Sequence, residues 1–385
     1  MARLLIVTTV PDAIRGFLLP HVKFFRNRGW QVDGAARGLS ADPECAAAFD
    51  RVWDMDWSRS PLDWKNMIKS LRQMQSLVEE RRYDIVHVHT PIASLVTRFA
   101  VRHLRARGLK VIYTAHGFHF HEGGGTITNA LYKAIEKKAA GWTDYLVVMN
   151  KDDRQQAFAH NLAPEDRLRY MPGIGLDTSF YAGDDITAAQ TAAARREIGL
   201  SEGDTLFVTV AEFTRNKRHA DVLSALAQTR DQAMHVAFCG EGPMKPVIET
   251  QSLNLGLQGR THFLGFRTDV RVWFKAARAA ILVSAREGLP RSIMESLCAG
   301  TPVIGSAIRG TKDLVETGGG ILIKSGSVEQ LAEAMRWMHR NPERARRMGE
   351  EGRRSMDRYD LKPILRMHDE LYSTALDHRS KAVAV

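Results

Sequence analysis

Twelve short apolar runs recur along the chain, with helix-length segments between most of them. In the first half they are RLLIVTTV, QVDGAAR, RVWDMD, DIVHVHT, KVIYTAHG and DYLVVMN; in the second, TLFVTVAEF, MHVAFCGEG, THFLGF, AAILVSA, PVIGSA and GILIKSG. A strand with one wet face alternates apolar and polar residues, whereas a strand covered on both faces reads as near-continuous Val, Ile and Leu. Such runs joined by helices indicate α/β architecture with parallel sheets between helical layers. The 385 residues exceed the length at which one core keeps growing, so two Rossmann-like domains are expected. The Pro- and Gly-dense stretch MPGIGLDTSFYAGDDITAAQ reads as the linker between them. The expected division is 1–180 for the first domain, 181–360 for the second, and a last segment, 361–385, whose LKPILRMHDELYSTAL is an amphipathic helix crossing back to the first.

Composition narrows the partners. Three scattered cysteines, Cys45, Cys239 and Cys298, argue against a disulfide framework and against a thiolate metal site, so a reducing cytoplasm is expected. The opening MARLLIVTTVPDA is too short for a signal-peptide core and reads as a first strand. No apolar run approaches the roughly 20 residues of a membrane helix, so membrane contact is expected to be peripheral. The net charge of +10 is concentrated: residues 61–120 hold ten Lys or Arg against four acids. In LDWKNMIKSLRQMQSLV the residues Trp64, Met67, Ile68, Leu71, Met74 and Val78 recur at helical spacing, leaving Lys65, Lys69 and Arg72 on another face. That face is either simply solvated or attracted to anionic lipid or a polyanionic acceptor. No nucleic-acid motif accompanies the charge.

In an open parallel sheet, ligands bind outside the carboxyl ends of the strands, so chemistry is sought in the loops that follow them. One such loop, EGLPRSIME, places Glu287 after the run AAILVSA and Glu295 on the second turn of a helix opened by Pro290. Carboxylates accept hydrogen bonds from hydroxyl pairs, and the helix start between them offers amides to a phosphate. Hydroxyls, phosphate, hydroxyls is the pattern of a nucleotide sugar.

The run AAILVSAREGLPRSIMESLCAGTPVIGSAIRGTKDLVE resembles the E-x(7)-E signature of glycosyltransferase family 4, retaining enzymes of the GT-B fold. CGEGP, FLGF, MPGIGLDTSFY, DIVHVHTP and TAHGFHF extend the resemblance, in family order, over nearly the whole chain. TAHGFHFHEGG followed by TDYLVVMNKDD is similar to the bacterial capsular and exopolysaccharide branch, whose members often act on sugars carried by polyprenyl diphosphate. The resemblance implies a GT-B fold, two Rossmann-like domains whose parallel sheets face each other across a cleft. It also implies catalytic roles for His116, Lys217 and Glu287. Glu287 would hold the transferred sugar and Glu295 the ribose, while Gly288, Leu289 and Pro290 present backbone to the sugar or phosphate. Phe266 and Arg267 would lie near the nucleobase.

One position departs from the family. Where relatives carry an Arg at a strand end and a Lys five residues later, AEFTRNKRH has Glu212 and then Lys217. Glu212 cannot neutralise a leaving diphosphate. Either Arg215 supplies the second cation, or Lys217 and backbone amides carry the load alone. Gly16 in PDAIRGFLLP is expected in the loop after the first strand, allowing close approach of the diphosphate or acceptor. Gly123 to Gly125 read either as a mobile loop beside the acceptor or as a flexible surface turn. His116 is either structural or, by the resemblance, near the donor sugar and acceptor. The pairs His87 and His89, and His119 and His121, match metal spacings only loosely. Their expected roles are structural. Asp54-Met55-Asp56 matches the short D-x-D motif of metal-dependent glycosyltransferases but lies far from the donor motifs. No metal and no cofactor is expected.

The expected function is transfer of a hexose or N-acetylhexosamine from a nucleoside-diphosphate sugar, UDP foremost, to a polyprenyl-diphosphate-linked or other glycan acceptor in cell-surface polysaccharide synthesis. Two alternatives stand beside it: a nucleotide-sugar epimerase of the same fold, and a non-catalytic glycan- or lipid-binding scaffold.

Overall fold

The computed structural model describes residues 1–57, 64–121 and 124–383. The chain forms two units, Met1–Gly175 with Leu361–Val385, and Leu176–Asp360. The divide falls at Gly175 and Leu176, five residues before the expected 180/181 boundary, and the C-terminal segment belongs to the first unit.

The first unit is built on seven parallel strands: β1 (Arg3–Val7), β2 (Gln31–Ala36), β3 (Arg51–Asp54), β4 (Ile85–Val88), β5 (Lys110–Ala115), β6 (Tyr145–Val148) and β7 (Leu168–Tyr170), in the order β3-β2-β1-β4-β5-β6-β7. Along β1, Leu5 and Val7 enter one core and Leu4 and Ile6 the other, which is the two-unit alternation of a strand covered on both faces. β7 has three residues, LRY, and offers too short an apolar run to be read from sequence.

Helix α1 (Trp64–Arg81) buries Met74, Leu77 and Val78, but Ile68 is 46% exposed. The expected inward stripe therefore weakens towards the start of the helix, where Ser70 is buried instead. Lys69 binds Asp56 at 2.8 Å and Arg72 is exposed. The side chains of Trp64 and Lys65 lie outside the described residues. Helix α2 (Thr126–Ala140) follows the loop after β5. The C-terminal helix, Leu361–Val383, docks Leu371, Tyr372 and Ala375 into the core that holds Leu4, Ile6, Val22 and Phe25. Where the chain leaves the unit, Gly175 has φ +92° and a Cβ there would meet Leu361 Cα at 2.9 Å, so only glycine fits.

The second unit has six parallel strands: β8 (Thr205–Val210), β9 (Met234–Cys239), β10 (Thr261–Gly265), β11 (Ala279–Leu282), β12 (Val303–Ser306) and β13 (Gly320–Ile323), ordered β10-β9-β8-β11-β12-β13. Leu206 and Val208 face one core and Phe207 the other. The stretch expected as a linker is largely folded into this unit. Asp177 caps the helix Thr178–Ala182, Thr187 and Gln190 form a capping box, and Asp184 and Asp185 are held by Arg353 at 2.7 Å and Arg271 at 2.8 Å. Acidic residues that look like linker polarity in one dimension are ion-pair partners in three.

Candidate active site

In both sheets the strand order reverses next to the first strand of the unit, between β1 and β4 and between β8 and β11. Loops diverge at such a point and leave a crevice at the carboxyl ends of the strands. The loop after β8 carries Lys217 and the loop after β11 carries Glu287. Topology thus brings together two residues 70 positions apart: Lys217 Nζ donates to Glu287 Oε1 at 2.6 Å, with the side chains 23% and 11% exposed.

The loops themselves are tied together. Ala285 N donates to Asn216 O at 2.8 Å and Asn216 Nδ2 to Arg286 O at 2.9 Å. Arg309 Nε donates to Glu287 O at 3.1 Å. Gly310, at φ +72°, presses so closely on Gly288 that a Cβ would fall 1.8 Å from its carbonyl oxygen. Gly240 and Gly242 play the same part for the loop after β8, where a Cβ would fall 2.1 Å from Ala211 O and 2.6 Å from Phe213 O. The glycines of CGEGP and IRGT are therefore spacers that let the loops after β9 and β12 lie against those after β8 and β11.

Helix α3 (Arg291–Cys298) begins at this point. Pro290 is its N-cap residue, one position earlier than a first-turn proline, and no side chain caps the helix. First-turn amides lack intrahelical partners, so such an end favours an anion. Glu295 lies in a separate network: Arg291 Nε donates to Glu295 Oε1 at 2.7 Å, and Arg291 Nη2 to Tyr181 Oη at 3.0 Å. Burial raises the Glu295 pKa above the ordinary carboxylate value, against the pull of Arg291. Glu287 and Glu295 thus carry different counter-ions, one a lysine across the switch point, the other an arginine one turn back on its own helix.

Of the remaining donor-site candidates, Phe266 is 78% exposed directly after β10. Arg267 is occupied: it grips Asp269 through Nε at 2.8 Å and Nη2 at 2.6 Å, and reaches Glu197 at 3.0 Å. Asp269 also pushes the Arg267 pKa upward. Arg215 is exposed and pairs with no carboxylate among the described residues, while Arg218 is held by Asp221 at 2.6 Å. Glu212 is exposed on the same loop.

In the first unit, His116 stands just beyond β5, and its Nε2 shares a hydrogen bond of 3.1 Å with His89 Nδ1. Burial pushes the His116 pKa down to about 4, so the ring is neutral at pH 7. Behind it the rings of His89 and His87 lie 4.2 Å apart on one face of β4, and His87 bonds Thr114 Oγ1 at 2.7 Å and Tyr372 Oη at 2.5 Å. Beside them Thr9 and Thr90 exchange a hydroxyl bond of 2.8 Å across the β1–β4 switch point.

The family model "Glycosyl transferase 4-like domain" matches residues 22–173 and "Glycosyl transferases group 1" matches residues 190–355. The chain is 31% identical over 386 residues to "Putative glycosyltransferase EpsD" of Bacillus subtilis (strain 168), covering all of this chain and 99% of that protein. The chain belongs to glycosyltransferase family 4. This glycosyltransferase is also 26% identical, over 70% of its length and 69% of the other's, to the Escherichia coli "UDP-Gal:alpha-D-GlcNAc-diphosphoundecaprenol alpha-1,3-galactosyltransferase". Among solved structures, Anabaena HepE in complex with UDP-glucose superposes with a TM-score of 0.78 at 19% identity, over 97% of this chain and 100% of that one, which shows the GT-B fold.

One sequence expectation changes in this glycosyltransferase, and other candidates find local partners. Gly16 is not in the loop after β1 but inside a helical segment, in a π-helical turn Ile14–Leu18, exposed, with no atom within 4 Å of an added Cβ. Pro20, which has no N–H to give to the Gly16 carbonyl, accounts for the wide turn. Arg267 belongs to an ion-pair network before it belongs to any nucleobase. Asp54 accepts from Ser40, and Asp56 binds Lys69 and Gln73, so the D-x-D residues serve local structure. Gly123 lies outside the described residues; a Cβ on Gly124 would strike the Asn129 side chain at 2.6 Å. Sequence reading missed Tyr181, Asn216 and Arg309, and it gave His89 a structural role without its contact to His116. Arg291, four residues before Glu295, was readable as a helical ion pair.

Proposed function

We propose that the glycosyltransferase moves a hexose or N-acetylhexosamine from a UDP-sugar, with retention, to a polyprenyl-diphosphate-linked acceptor in exopolysaccharide synthesis, at the cytoplasmic face of a membrane. The observation that carries this reading is the Lys217–Glu287 pair at the β8–β11 switch point, beside the uncapped start of α3. Lys217 and the α3 amides suit a diphosphate, and Glu287 suits sugar hydroxyls. In the free protein the two side chains neutralise each other, and a donor replaces that contact with partners for both. The family resemblance and the printed activity of the Escherichia coli relative support the donor and acceptor classes.

In the proposed reaction the acceptor hydroxyl attacks the anomeric carbon on the face from which the diphosphate departs. The bond between that carbon and the phosphate oxygen breaks, and a phosphate oxygen takes the hydroxyl proton. Negative charge grows on the leaving diphosphate, where preorganised donors such as Lys217, assisted by Arg215, contribute most. No side-chain base, metal or cofactor is assigned a step. Neutral His116 is suited to exchange hydrogen bonds with hydroxyls without adding charge.

The test is a thermal-shift screen of UDP-, GDP- and ADP-sugars followed by transfer assays on a polyprenyl-diphosphate sugar. UDP-sugars are expected to raise the midpoint and support transfer. Conversion of UDP-N-acetylglucosamine without an acceptor would favour an epimerase, and no response to any nucleotide sugar would favour a binding scaffold.

A further inference from the structure

Helix α2 turns an unusual face to solvent. Ile127 is 86% exposed and Leu131 59%, and after the terminal Met1 no large apolar side chain among the described residues is more exposed than Ile127. At 100° per residue, Ile127, Leu131, Ala134 and Lys138 fall on one stripe of about 60° width, with Ala130 and Lys137 on its flank. All six are exposed. The helix carries a single acid, Glu136, which points the other way and is consumed by Arg98 at 3.0 Å. The Ile127–Leu131 stripe of α2 is therefore apolar over the first two turns, the last turn is basic, and no carboxylate lies on this face.

A soluble helix has no reason to expose Ile and Leu one turn apart, and a protein partner is not the best match for what surrounds them. Two copies of this chain meeting across the face would bring lysines together with no acid to pair them. An anionic lipid surface fits both halves: the apolar side chains enter the headgroup boundary, while Lys137 and Lys138 meet lipid phosphates and let their stems lie along the apolar layer. No helix among the described residues is long and apolar enough to cross a membrane, so attachment of this kind would lie in the plane of the surface. Helix α2 also begins ten residues after His116, at the carboxyl end of the sheet. Helix α1 exposes Ile68, Lys69 and Arg72 near its start, at the same pole.

We propose that the face of α2 formed by Ile127, Leu131, Lys137 and Lys138 docks the protein on an anionic bilayer and presents the loop after β5 to a lipid-borne acceptor. This rests on the lipid-linked acceptor proposed above, and it names the element that meets the membrane.

The experiment is cosedimentation of the full chain with vesicles of equal phosphatidylglycerol and phosphatidylcholine, and with phosphatidylcholine alone. Strong binding to the mixed vesicles is expected, weakening at high salt. Ile127→Ser with Leu131→Ser, and separately Lys137→Ala with Lys138→Ala, should each lower affinity about tenfold or more. Both double variants should keep the wild-type melting midpoint and UDP affinity, since none of the four residues is buried. Wild-type protein that ignores anionic vesicles, or variants that bind them as tightly as wild type, would overturn the proposal. So would a dimer seen by light scattering that the Ile127, Leu131 pair of substitutions abolishes, which would give the face to a second copy. UDP affinity measured on the same samples separates the two readings. A chain that binds vesicles through α2 but no nucleotide leaves the docking face standing and removes the transferase.

Discussion

The two units share a sheet plan and differ in what they place at its switch point. Between β8 and β11 the second unit sets Lys217 against Glu287, with Arg309 from the loop after β12 on the Glu287 carbonyl and, in a separate network on α3, Arg291 against Glu295. Beside the β1–β4 switch point the first unit gathers neutral groups: Thr9 and Thr90 hydroxyls, His87 and His89, and His116 from the end of β5, the three imidazoles held by burial below the ordinary histidine pKa. One topology therefore carries two sets of side chains, one charged and one neutral. The charged end can grip an anion and the neutral end can align hydroxyls without competing for it. Fold alone does not separate these roles; the side chains after the strands do.

The contrast can be broken most forcefully in the second unit. Lys217→Ala and Glu287→Gln should each lower transfer about a hundredfold or more, because in the proposed reaction each is a group that meets developing charge or the reacting sugar. Steady-state kinetics checks this, and wild-type-like rates in both variants would remove the assignment. His116→Ala should cost less, about tenfold, and chiefly through the acceptor's KM.

The neutral end makes a prediction of its own in acid. His21, His87, His89 and His368 are buried, with His368 pushed down to about 4 and the others well below the usual value, chiefly by desolvation. The groups facing them are further imidazoles, the Tyr372 and Thr114 hydroxyls and the Ile364 carbonyl, with no carboxylate among these contacts. Because the unfolded histidines titrate near 6.5, the unfolded chain binds protons first as pH falls. Stability is full above that value and is lost from about pH 6.5 towards 4. A melting midpoint at pH 5 lower than at pH 7.5 by about 5 °C or more is expected. A flat profile would show that these rings titrate normally.

Smaller effects sharpen the picture. Phe266→Ala should weaken UDP binding several-fold by calorimetry and leave the melting midpoint unchanged, since the ring is largely exposed. Arg267→Ala should do the reverse, costing less than about 1 kcal/mol of stability for a partly exposed ion-pair network and little affinity. Gly16→Ala should leave stability unaltered or slightly improved, because the position is helical and open. A fall in turnover with unchanged stability would show that a ligand approaches there.

Much of the fold was legible because its strands are covered on both faces and announce themselves as apolar runs; β7, with LRY, does not. The pairing of Lys217 with Glu287 was legible only as family pattern, since 70 residues separate them and only the strand order closes the gap. Tyr181 and Arg309 lie inside the runs MPGIGLDTSFY and SAIRGTKDLVE, but only contact shows that they reach Arg291 and the Glu287 carbonyl. Asp184 and Asp185 misled in the other direction: polarity beside Pro and Gly looks like a linker until Arg353 and Arg271 are seen to hold it.

The most direct measurement is calorimetric titration of UDP into wild-type protein and into Lys217→Ala. Saturable binding by the wild type, with affinity at least about tenfold weaker in the variant, is the expected result. Equal affinities, or a wild-type chain that takes up no UDP, would contradict the claim that the β8–β11 switch point holds a nucleoside diphosphate.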